Sequence, residues 1–600
     1  MSYPLTTPED GEFSEIAAGR RRLGEWLKSQ PDNFFVADRN LQRLLEFYWG
    51  QDGYREHLPR LYDFGRLSAT IVDLAARLSN DVENLPRLHN YDGLGNRLAQ
   101  VDYHPAYHEA GRAIYNSGVI SVYAEPGNNL LSLALFYLSS LNGEAGHNCP
   151  VAMSAGMVKL LQAEGTLALQ ERFLPRLLDP DYDRNYTAAQ FLTEVQGGSD
   201  VGANATIATP LDPATEGTWL LNGEKWFTSN VTADLALVTA RVPGQGEGTY
   251  GLGLFLVPRG LDDGRLNHMY IRRLKDKLGT RSLATGEIEF RNAVAYHIGD
   301  LERGFRNMMT YVINTSRIFN AVGCSANARR AYIVAWSYAR HRFAFGQPII
   351  HFPLVQDILA KMRSDATAIL SGSMRIVRTL DEIETARKTD AATGAFLRMA
   401  LNLNKYRSSL IAHEVIQKGI EVLGGNGTVE DFSVLPRLLR DNVVYENWEG
   451  SHNVLLAQVQ RDMRRYRVHE PFFALVEEML TSLPFNRLKR EGLEALGKIR
   501  EQLDALLEMD EQSASVPFRP LMDRLTDLYY VACMGVEAAW EVFKKEDRSK
   551  QRLAEFFFDR RVMGRPAIDI PDYGHQISRL AADIRPGRVE KDQVSGTDQT

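Results

Sequence analysis

The sequence predicts an α+β protein in which an N-terminal helical domain, a middle β domain and a C-terminal helical bundle precede a helical C-terminal extension. Apolar residues recur at helical spacing in the first and last parts of the chain. Short apolar runs separated by Gly-rich turns fill the part between them. A chain of 600 residues is also too long for one core. We expect the parts to span residues 1–186, 187–300, 301–470 and 471–600.

The first two parts differ in their hydrophobic period. Residues 16–27 and 130–141 have helical spacing, and turn signals at residues 91–96 interrupt the helices between them. The strand-like runs of the β domain cover residues 188–192, 235–241, 252–257 and 287–290. A G-x-G-x-x-G fingerprint and a phosphate-binding loop motif are both absent from the sequence, which argues against a Rossmann or P-loop nucleotide site.

Long helices with short breaks predict an antiparallel bundle in the third part. They cover residues 308–321, 326–341, 354–379, 396–423 and 454–466. Further helices are expected at residues 490–508 and 521–545 of the extension. The last thirty or so residues are polar and contain proline, so we expect them to be loosely packed.

The composition restricts the class of protein. The hydrophobic content of 44% and the charged content of 24% are ordinary for a globular protein. The net charge of -7 gives no sign of a basic surface that would bind a polyanion such as nucleic acid. Cys149, Cys324 and Cys533 have neither metal-ligand nor disulfide spacing, so we expect no metal and a reducing compartment. The acidic N-terminus lacks a signal pattern and no apolar run is long enough to span a membrane, so we expect a cytoplasmic protein.

Glu449 is the candidate with the strongest chemical context. It lies between the bulky Trp448 and the pair Gly450-Ser451. A carboxylate beside an apolar ring can be a desolvated base with a raised pKa, and glycine permits close approach of a ligand. The alternative is structural, with Ser451 as the N-cap of a helix and the acids favouring the positive helix end.

Two segments of the β domain have the features of a site for a flat ligand. Residues 191–200 leave a strand with two glycines and the hydroxyls of Thr193 and Ser199, although for this segment taken alone an ordinary turn capped by Asp200 is the simpler explanation. Residues 225–229 follow Asn222-Gly223, a hairpin signal. Alternation along a strand predicts that the rings of residues 226 and 227 point to opposite faces, as core residues or as a wall for a planar ring.

Two helix ends have the features of an anion site. Arg342 lies at the end of a predicted helix, where it can bond the last carbonyls or hold a pyrophosphate. Gly424, Gly425 and Gly427 end another helix, either as a Schellman stop or as a loop that presents its amides to an anion.

Taken in order, these segments resemble the acyl-CoA dehydrogenase superfamily of flavoproteins over residues 85–470. The family patterns are matched by Trp448 to Ser451, Thr193 to Asp200, Arg342-x-x-Phe345-Gly346 and Gly424-Gly425-x-Gly427. Its Lys-x-Trp-x-(Thr/Ser) strand is met with Phe227 in the Trp place. Residues 91–108, 225–227 and 273–282 resemble the AidB-like branch, which has an enlarged N-terminal helical domain, and nematode members that bind medium or long acyl chains have a C-terminal extension.

The resemblance implies a middle β-barrel domain and FAD between that domain and the bundle. It assigns cofactor binding to Leu192, Thr193, Gly198, Ser199, Phe227, Ser229, Arg342, Phe345, Gly424, Gly425, Ser451 and Asn453. Arg342, Phe345 and the glycine loop would reach the FAD of a neighbouring subunit, which requires a homo-oligomer, usually a dimer of dimers.

The resemblance also assigns the chemistry, which is α,β-dehydrogenation of a medium- or long-chain acyl-CoA. Glu449 would be the base and Arg317 would lie beside it, with a helix-surface salt bridge as the alternative for Arg317. Glu421 in place of the usual Gln, Thr428 in place of an aromatic residue, and His452 depart from the family pattern. These departures concern the FAD contacts.

Other functions remain open at this point. An AidB-like flavoprotein can bind acyl-CoA or fatty acyl chains with little turnover. The electron acceptor can be an electron-transfer flavoprotein or oxygen. DNA binding is disfavoured because residues 465–600 carry slightly more acidic than basic residues, and the basic residues at 544–552 are interleaved with Glu546 and Asp547.

Overall fold

The computed structural model describes residues 14–212, 217–387 and 389–582. The N-terminal part is helical and contains one hairpin. Its elements are α1 Ser14–Lys28, α2 Phe34–Ala37, α3 Arg39–Leu67, α4 Asp73–Ser79, β1 Arg87–Tyr91, β2 Arg97–Asp102, α5 Pro105–Asn116, α6 Asn129–Ser140, α7 Asn148–Glu164 and α8 Leu167–Leu177. The turn signals at residues 91–96 therefore connect the antiparallel strands β1 and β2.

The middle part is a β-barrel. Its strands are β3 Ala188–Phe191, β4 Ile207–Pro210, β5 Thr218–Ser229, β6 Leu235–Arg241, β7 Leu252–Pro258, β8 Met269–Leu274 and β9 Thr285–His297. The pairs β4–β5, β5–β9, β9–β7, β7–β6 and β6–β4 form a closed ring. Strand β3 adds to β6 in parallel, and β8 adds to β9. The barrel encloses an apolar core of its own.

The third part is built on long helices. Its elements are α9 Gly304–Asn307, α10 Asn314–His341, β10 Phe343–Ala344, β11 Gln347–Pro348, α11 Pro353–Ala386, α12 Ala391–Leu423, α13 Leu435–Asn447 and α14 His452–Tyr466. The two helices predicted at residues 308–341 are one helix, α10, preceded by a π-helical turn. Helices α10, α11 and α12 pack along one another, and α6 of the N-terminal part packs on α10.

The C-terminal extension is helical and docks on the bundle. Its helices are α15 His469–Ser482, α16 Asn486–Glu508, α17 Glu511–Lys545, α18 Ser549–Phe557 and α19 Tyr573–Ala582. Helix α19 packs on α11, and the Trp336 indole donates to the carbonyl of Ala581 at 2.9 Å. The expectation of a loose end is therefore wrong for α19, whereas residues 583–600 lie outside the described residues.

The α+β organisation predicted from the sequence is confirmed. The exact boundaries between the parts stay predictions. Among the described helices, none combines the length and the apolar composition that crossing a lipid bilayer requires.

Candidate active site

Glu449 lies in the short link between α13 and α14 and has a left-handed backbone with φ of 57°. Buried cations hold this link from one side. The Arg317 Nε donates to the carbonyl of Glu449 at 3.1 Å, and the Lys405 Nζ donates to the carbonyls of Glu446 and Gly450 at 2.9 Å each. Strained backbone of this kind persists only where its surroundings enforce it, and it concentrates at functional sites.

The carboxylate of Glu449 faces the β domain. The Gln190 side chain, on β3, donates from Nε2 to the Glu449 Oε1 at 2.7 Å. Burial raises the pKa of Glu449 to about 7, while the charges of Arg317 and Lys405 and the Gln190 hydrogen bond act in the opposite direction. A carboxylate with this pKa can both take up and release a proton near neutral pH.

Arg317 is a buried residue of the site. Its side chain also donates to the Asn402 Oδ1 at 2.6 Å, and only 3% of the residue is exposed. Burial lowers the pKa of Arg317 to about 10, so the guanidinium remains charged at neutral pH. The alternative of a helix-surface salt bridge does not fit this environment.

Trp448 directly precedes Glu449 in the chain, and its ring is held by two contacts. Its ring stacks on Tyr445 with 4.9 Å between the ring centroids, and its Nε1 donates to the Asn320 Oδ1 at 2.6 Å. The aromatic neighbour that the sequence indicated is therefore fixed in place by both stacking and hydrogen bonding.

The start of α14 fits the helix-cap interpretation only in the position of Ser451. Ser451 is the N-cap residue of α14, but its side chain makes no capping hydrogen bond. Asn453 is exposed, and its Oδ1 accepts from Arg519 of the extension helix α17. The extension thus reaches a residue that the family resemblance assigned to cofactor binding.

The loop after β3 is held by a buried ion pair that sequence reasoning missed. The Lys225 Nζ lies 2.7 Å from the Glu194 Oε1, and both side chains are almost fully buried. Glu194 also accepts from the backbone N–H groups of Ala205 and Thr206. The carbonyl of Thr193 accepts from the Trp226 N–H at 2.8 Å. Leu192 and Thr193 are partly buried, and Gly198 and Ser199 are exposed on the same loop.

The strand segment at Trp226 and Phe227 departs from simple alternation. A β-bulge lies between Lys225 and Thr228 in the pairing of β5 with β9. The Lys275 ammonium is 3.5 Å from the Trp226 ring centroid and 4.8 Å from that of Phe227. Both rings thus reach the same cation, so the expectation of opposite faces is wrong because the bulge breaks the two-residue period. Phe227 is 52% exposed, as a ring that covers a ligand requires.

Ser229 ends β5 within a chain of polar contacts. Its Oγ lies 3.0 Å from the Thr285 Oγ1, which accepts from the Lys277 Nζ at 2.9 Å. Burial lowers the pKa of Lys277 to about 8. The structure thus places a buried lysine, absent from the sequence-based list, one hydroxyl away from Ser229.

Arg342, Phe345, Gly424 and Gly425 belong to a second, separate group. They are exposed residues just beyond the ends of α10 and α12. At 1.5 Å per residue, Arg342 lies about 37 Å along the helix from Arg317. The Asn426 Nδ2 donates to the Tyr338 hydroxyl at 3.2 Å, so the two loops are neighbours at one end of the bundle.

The residues that depart from the family pattern have local explanations. Glu421 is exposed and its backbone carbonyl accepts from the Gly424 N–H, while the Thr428 hydroxyl donates to the carbonyl of Gly425. The His452 ring nitrogen lies 3.3 Å from the Ser409 Oγ, and burial lowers the pKa of His452 to about 4. None of these contacts obstructs the helix ends.

Unpaired buried polar atoms around Glu449 fit a polar ligand. The Gln190 Oε1, Ser316 Oγ and Asn320 Nδ2 are buried without a hydrogen-bond partner. An unpaired buried polar group costs about 1–3 kcal/mol, and a ligand that donates to it or accepts from it would recover that cost. A flavin carries both kinds of group on one planar edge, and the residues present therefore suit it.

The remaining candidates do not form further sites. Lys550 is 3% exposed and is paired with Glu537 and Glu541, and Lys545 is paired with Glu46, so this basic segment is largely used within the chain. The three cysteines are buried free thiols. Within the described ranges, side chains that bind metals do not gather in a group of three or more.

Comparison with known proteins places these features in a family. Three family models match successive parts of the chain: Adaptive response protein AidB N-terminal domain at residues 28–184, acyl-CoA dehydrogenase middle domain at 189–293 and acyl-CoA dehydrogenase C-terminal domain at 302–464. Acyl-CoA dehydrogenase family member 11 of Caenorhabditis elegans is 33% identical over 502 residues, which are 80% of this chain and 78% of that protein. Putative acyl-CoA dehydrogenase AidB of Escherichia coli is 34% identical over 401 residues, 65% of this chain and 71% of that protein.

Solved structures agree with these matches. The crystal structure of Caenorhabditis elegans ACDH-11 in complex with C11-CoA has a TM-score of 0.81 at 29% identity and covers 94% of this chain and 95% of that chain. An acyl-CoA dehydrogenase complexed with FAD from Bacillus anthracis shares the fold, with a TM-score of 0.61 at 18% identity and coverage of 96% and 88%. The chain belongs to the acyl-CoA dehydrogenase family and carries the N-terminal domain of its AidB-like branch.

Proposed function

We propose that this protein is an FAD-dependent acyl-CoA dehydrogenase that acts on a medium- or long-chain acyl-CoA. The observation that carries the proposal is the environment of Glu449, a carboxylate on strained backbone, held by Arg317 and Lys405, with a pKa raised to about 7. A relative that was solved with C11-CoA supports the substrate class.

Glu449 would take the α-proton of the acyl thioester as the general base. The α-proton is weakly acidic, so the base must be partly desolvated and correctly placed before the reaction. The contacts from Arg317 and Lys405 to the backbone on both sides of Glu449 would provide that placement. Trp448 would exclude water from one side of the carboxylate.

FAD, when bound, supplies the acceptor for the hydride from the β-carbon. The FAD would lie between the β-barrel and the bundle. Leu192, Thr193, Gly198 and Ser199 would contact it from the loop after β3, and Phe227 and Ser229 from the end of β5. Ser451 and Asn453 would lie at its adenosine end.

A homo-oligomer, at least a dimer, would complete each site. Arg342, Phe345, Gly424 and Gly425 lie together at the far end of the bundle, about 37 Å along α10 from Arg317. Such a group cannot contact the FAD beside its own Glu449, but it can contact the FAD of a second subunit. A dimer of dimers is the arrangement that the family resemblance favours.

A second candidate is an AidB-like protein that binds acyl-CoA or fatty acyl chains with little turnover. The match of residues 28–184 to the AidB N-terminal domain favours it. We propose a cytoplasmic location because the three cysteines are buried and form no disulfide with one another. The electron acceptor would be an electron-transfer flavoprotein, with oxygen as the alternative.

Anaerobic titration of the purified flavoprotein with acyl-CoAs of several chain lengths tests the proposal. A dehydrogenase loses its visible flavin absorbance with at least one chain length. Binding of acyl-CoA without loss of absorbance at any chain length would refute dehydrogenation and favour the second candidate. Protein that neither contains nor takes up FAD would exclude both.

A further inference from the structure

Gln190 reaches the Glu449 carboxylate from the β-barrel domain. Among the described residues of the barrel strands, it is the only one whose side chain hydrogen-bonds that carboxylate. It lies in β3, two residues before Leu192, and is separated from Glu449 by 259 positions in the chain. Gln190 is 9% exposed. Its Nε2 donates to the Glu449 Oε1 at 2.7 Å, whereas its Oε1 is buried without a partner.

We propose that Gln190 is a positioning residue for Glu449, whose amide can hold the carboxyl group of the base in either protonation state and holds it most strongly when that group is ionised. This inference rests on the proposed role of Glu449 as the base. It concerns a residue outside the sequence patterns that identified the site.

The ionised state is the one that the hydrogen bond at 2.7 Å represents. An N–H group that donates to a carboxylate stabilises the charged form, and such charge-assisted bonds are stronger than bonds between neutral groups. Gln190 therefore keeps Glu449 ionised, and ready to accept a proton, to lower pH than burial alone would allow.

The protonated state uses the other end of the same amide. After Glu449 has taken a proton, its carboxyl group carries an O–H donor, for which an amide oxygen is a suitable acceptor. The Gln190 Oε1 is buried and unpaired, and a half-turn about the last side-chain bond exchanges it with Nε2. A methionine or leucine side chain is similar in size but has neither an N–H donor for the ionised carboxylate nor an amide oxygen for the protonated one.

The other groups around the Glu449 carboxylate cannot take this role. The positive charges of Arg317 and Lys405 lower the pKa of Glu449. Their hydrogen bonds to the α13–α14 link and the last turn of α13, however, go to backbone carbonyls and not to the carboxylate. Cys149 is close enough to interact electrostatically, but burial holds the pKa of its thiol well above the usual range, so it is neutral. Among the described residues, Gln190 is the neutral side chain that hydrogen-bonds the Glu449 carboxylate, and its amide is both a stronger donor and a stronger acceptor than a thiol.

A thermal-stability cycle tests this without using catalysis. The variants are Gln190→Met, Glu449→Gln and the double variant, each measured as the FAD-loaded protein and as the protein freed of FAD, at pH 5 and pH 8. Burial raises the folded-state pKa of Glu449 above its unfolded value, so the folded state binds more protons between about pH 4.5 and 7 and stability falls as pH rises through that window. Loss of the Gln190 bond should raise this pKa further.

Gln190→Met should therefore lower the melting temperature more at pH 8 than at pH 5. In the Glu449→Gln background, the same substitution should have an equal effect at both pH values. An effect of Gln190→Met that is independent of pH in both backgrounds would overturn the inference, because a residue that only fills space would behave in that way.

The pH profile of the enzyme gives a second measurement. In Gln190→Met, the acid limb of kcat/KM should move upward by about one pH unit, which is the shift expected from one charge-assisted bond. Gln190→Glu should move it further because two carboxylates would then share the site. An unmoved limb in both variants would contradict the proposal. If acyl-CoA fails to reduce the wild-type flavin, the proposed function fails, but the thermal cycle still decides the role of Gln190.

Discussion

The Lys405 ammonium donates to the carbonyl of Gly450 at 2.9 Å and is itself almost fully buried. A buried lysine is costly, and burial lowers the pKa of Lys405 to about 8. Its second bond, to the carbonyl of Glu446, spans the turn that carries Glu449. One side chain of α12 thus fixes the backbone on both sides of the candidate base.

Lys405→Met should raise the acid limb of kcat/KM above the pH near 7 expected for the wild type. The base must be ionised, so the rate rises with pH through the pKa of Glu449, and the positive charge of Lys405 lowers that pKa. Two partly buried carbonyls also lose their donor, at a cost of about 1 kcal/mol each. Steady-state kinetics from pH 5 to 9 and urea unfolding measure the two effects.

Lys361→Met is the matched control for this variant, since Lys361 lies away from Glu449 and forms a partly exposed i,i+4 pair with Asp357, which keeps its bond from Tyr573. Loss of stability in Lys405→Met with an unchanged acid limb would show that Lys405 has no electrostatic effect on the base.

Lys225→Met should reduce the retention of FAD. The substitution leaves Glu194 buried without its ion-pair partner, which typically costs 3–5 kcal/mol, and Glu194 holds the loop that carries Thr193 and Ser199. The FAD-to-protein ratio after gel filtration is the measurement. The double variant Lys225→Met/Glu194→Gln removes the stranded charge and should recover part of the loss. Wild-type retention by the single variant would argue against this loop as a cofactor contact.

Phe345→Asn should weaken FAD binding without destabilising the isolated protomer. Phe345 is 96% exposed at the tip of the β10–β11 hairpin, where its φ of 51° is one that asparagine tolerates. If the ring contacts FAD in a second subunit, its loss should weaken FAD binding roughly tenfold. Tyr250→Asn, another exposed aromatic residue, is the control, and equilibrium dialysis gives the Kd. Equal FAD affinity in both variants would remove the support for a shared site.

Asp365→Asn should loosen the C-terminal extension. Asp365, on α11, is fully buried and pairs with Arg560 and Arg561, which hold its pKa well below the usual range. This stability is present above the unfolded pKa of about 4 and is lost as pH falls toward the lower folded value. Breaking a buried pair costs about 3–5 kcal/mol, so trypsin should cleave residues 549–582 faster at neutral pH.

Glu382→Gln, which removes a surface pair with Arg378, is the control for Asp365→Asn. Equal rates of cleavage in the two variants would show that the ion pairs of Asp365 do not hold the extension.

Features of the site could be predicted from the sequence where the residues that form them are neighbours in the chain. Glu449, its aromatic neighbour and its glycine are adjacent in the chain, so a desolvated carboxylate with a raised pKa could be predicted there. Asn222-Gly223 was misleading because the pair lies inside the continuous strand β5. A Cβ on Gly223 would lie 2.7 Å from the Cα of Thr206, so the glycine serves close packing and not a hairpin.

The contacts that set the properties of the base could not be predicted in this way. Gln190 and Lys405 stand in a strand and a helix without any recognisable pattern. Their partners lie 259 and 45 positions away in the chain. The packing of β3 against the link after α13 brings Gln190 to Glu449, and the packing of α12 against the same link, within the bundle, brings Lys405 to Gly450.

The rate of flavin reduction in a single anaerobic mixing experiment tests the central claim most directly. Wild-type protein and Glu449→Gln, both loaded with FAD, are mixed with a saturating acyl-CoA that reduces the wild type. We expect the variant to bind acyl-CoA with similar affinity and to be reduced about 10²–10⁴-fold more slowly, as for the loss of a general base. Reduction of both proteins at the same rate would contradict the assignment of Glu449 as the residue that removes the proton.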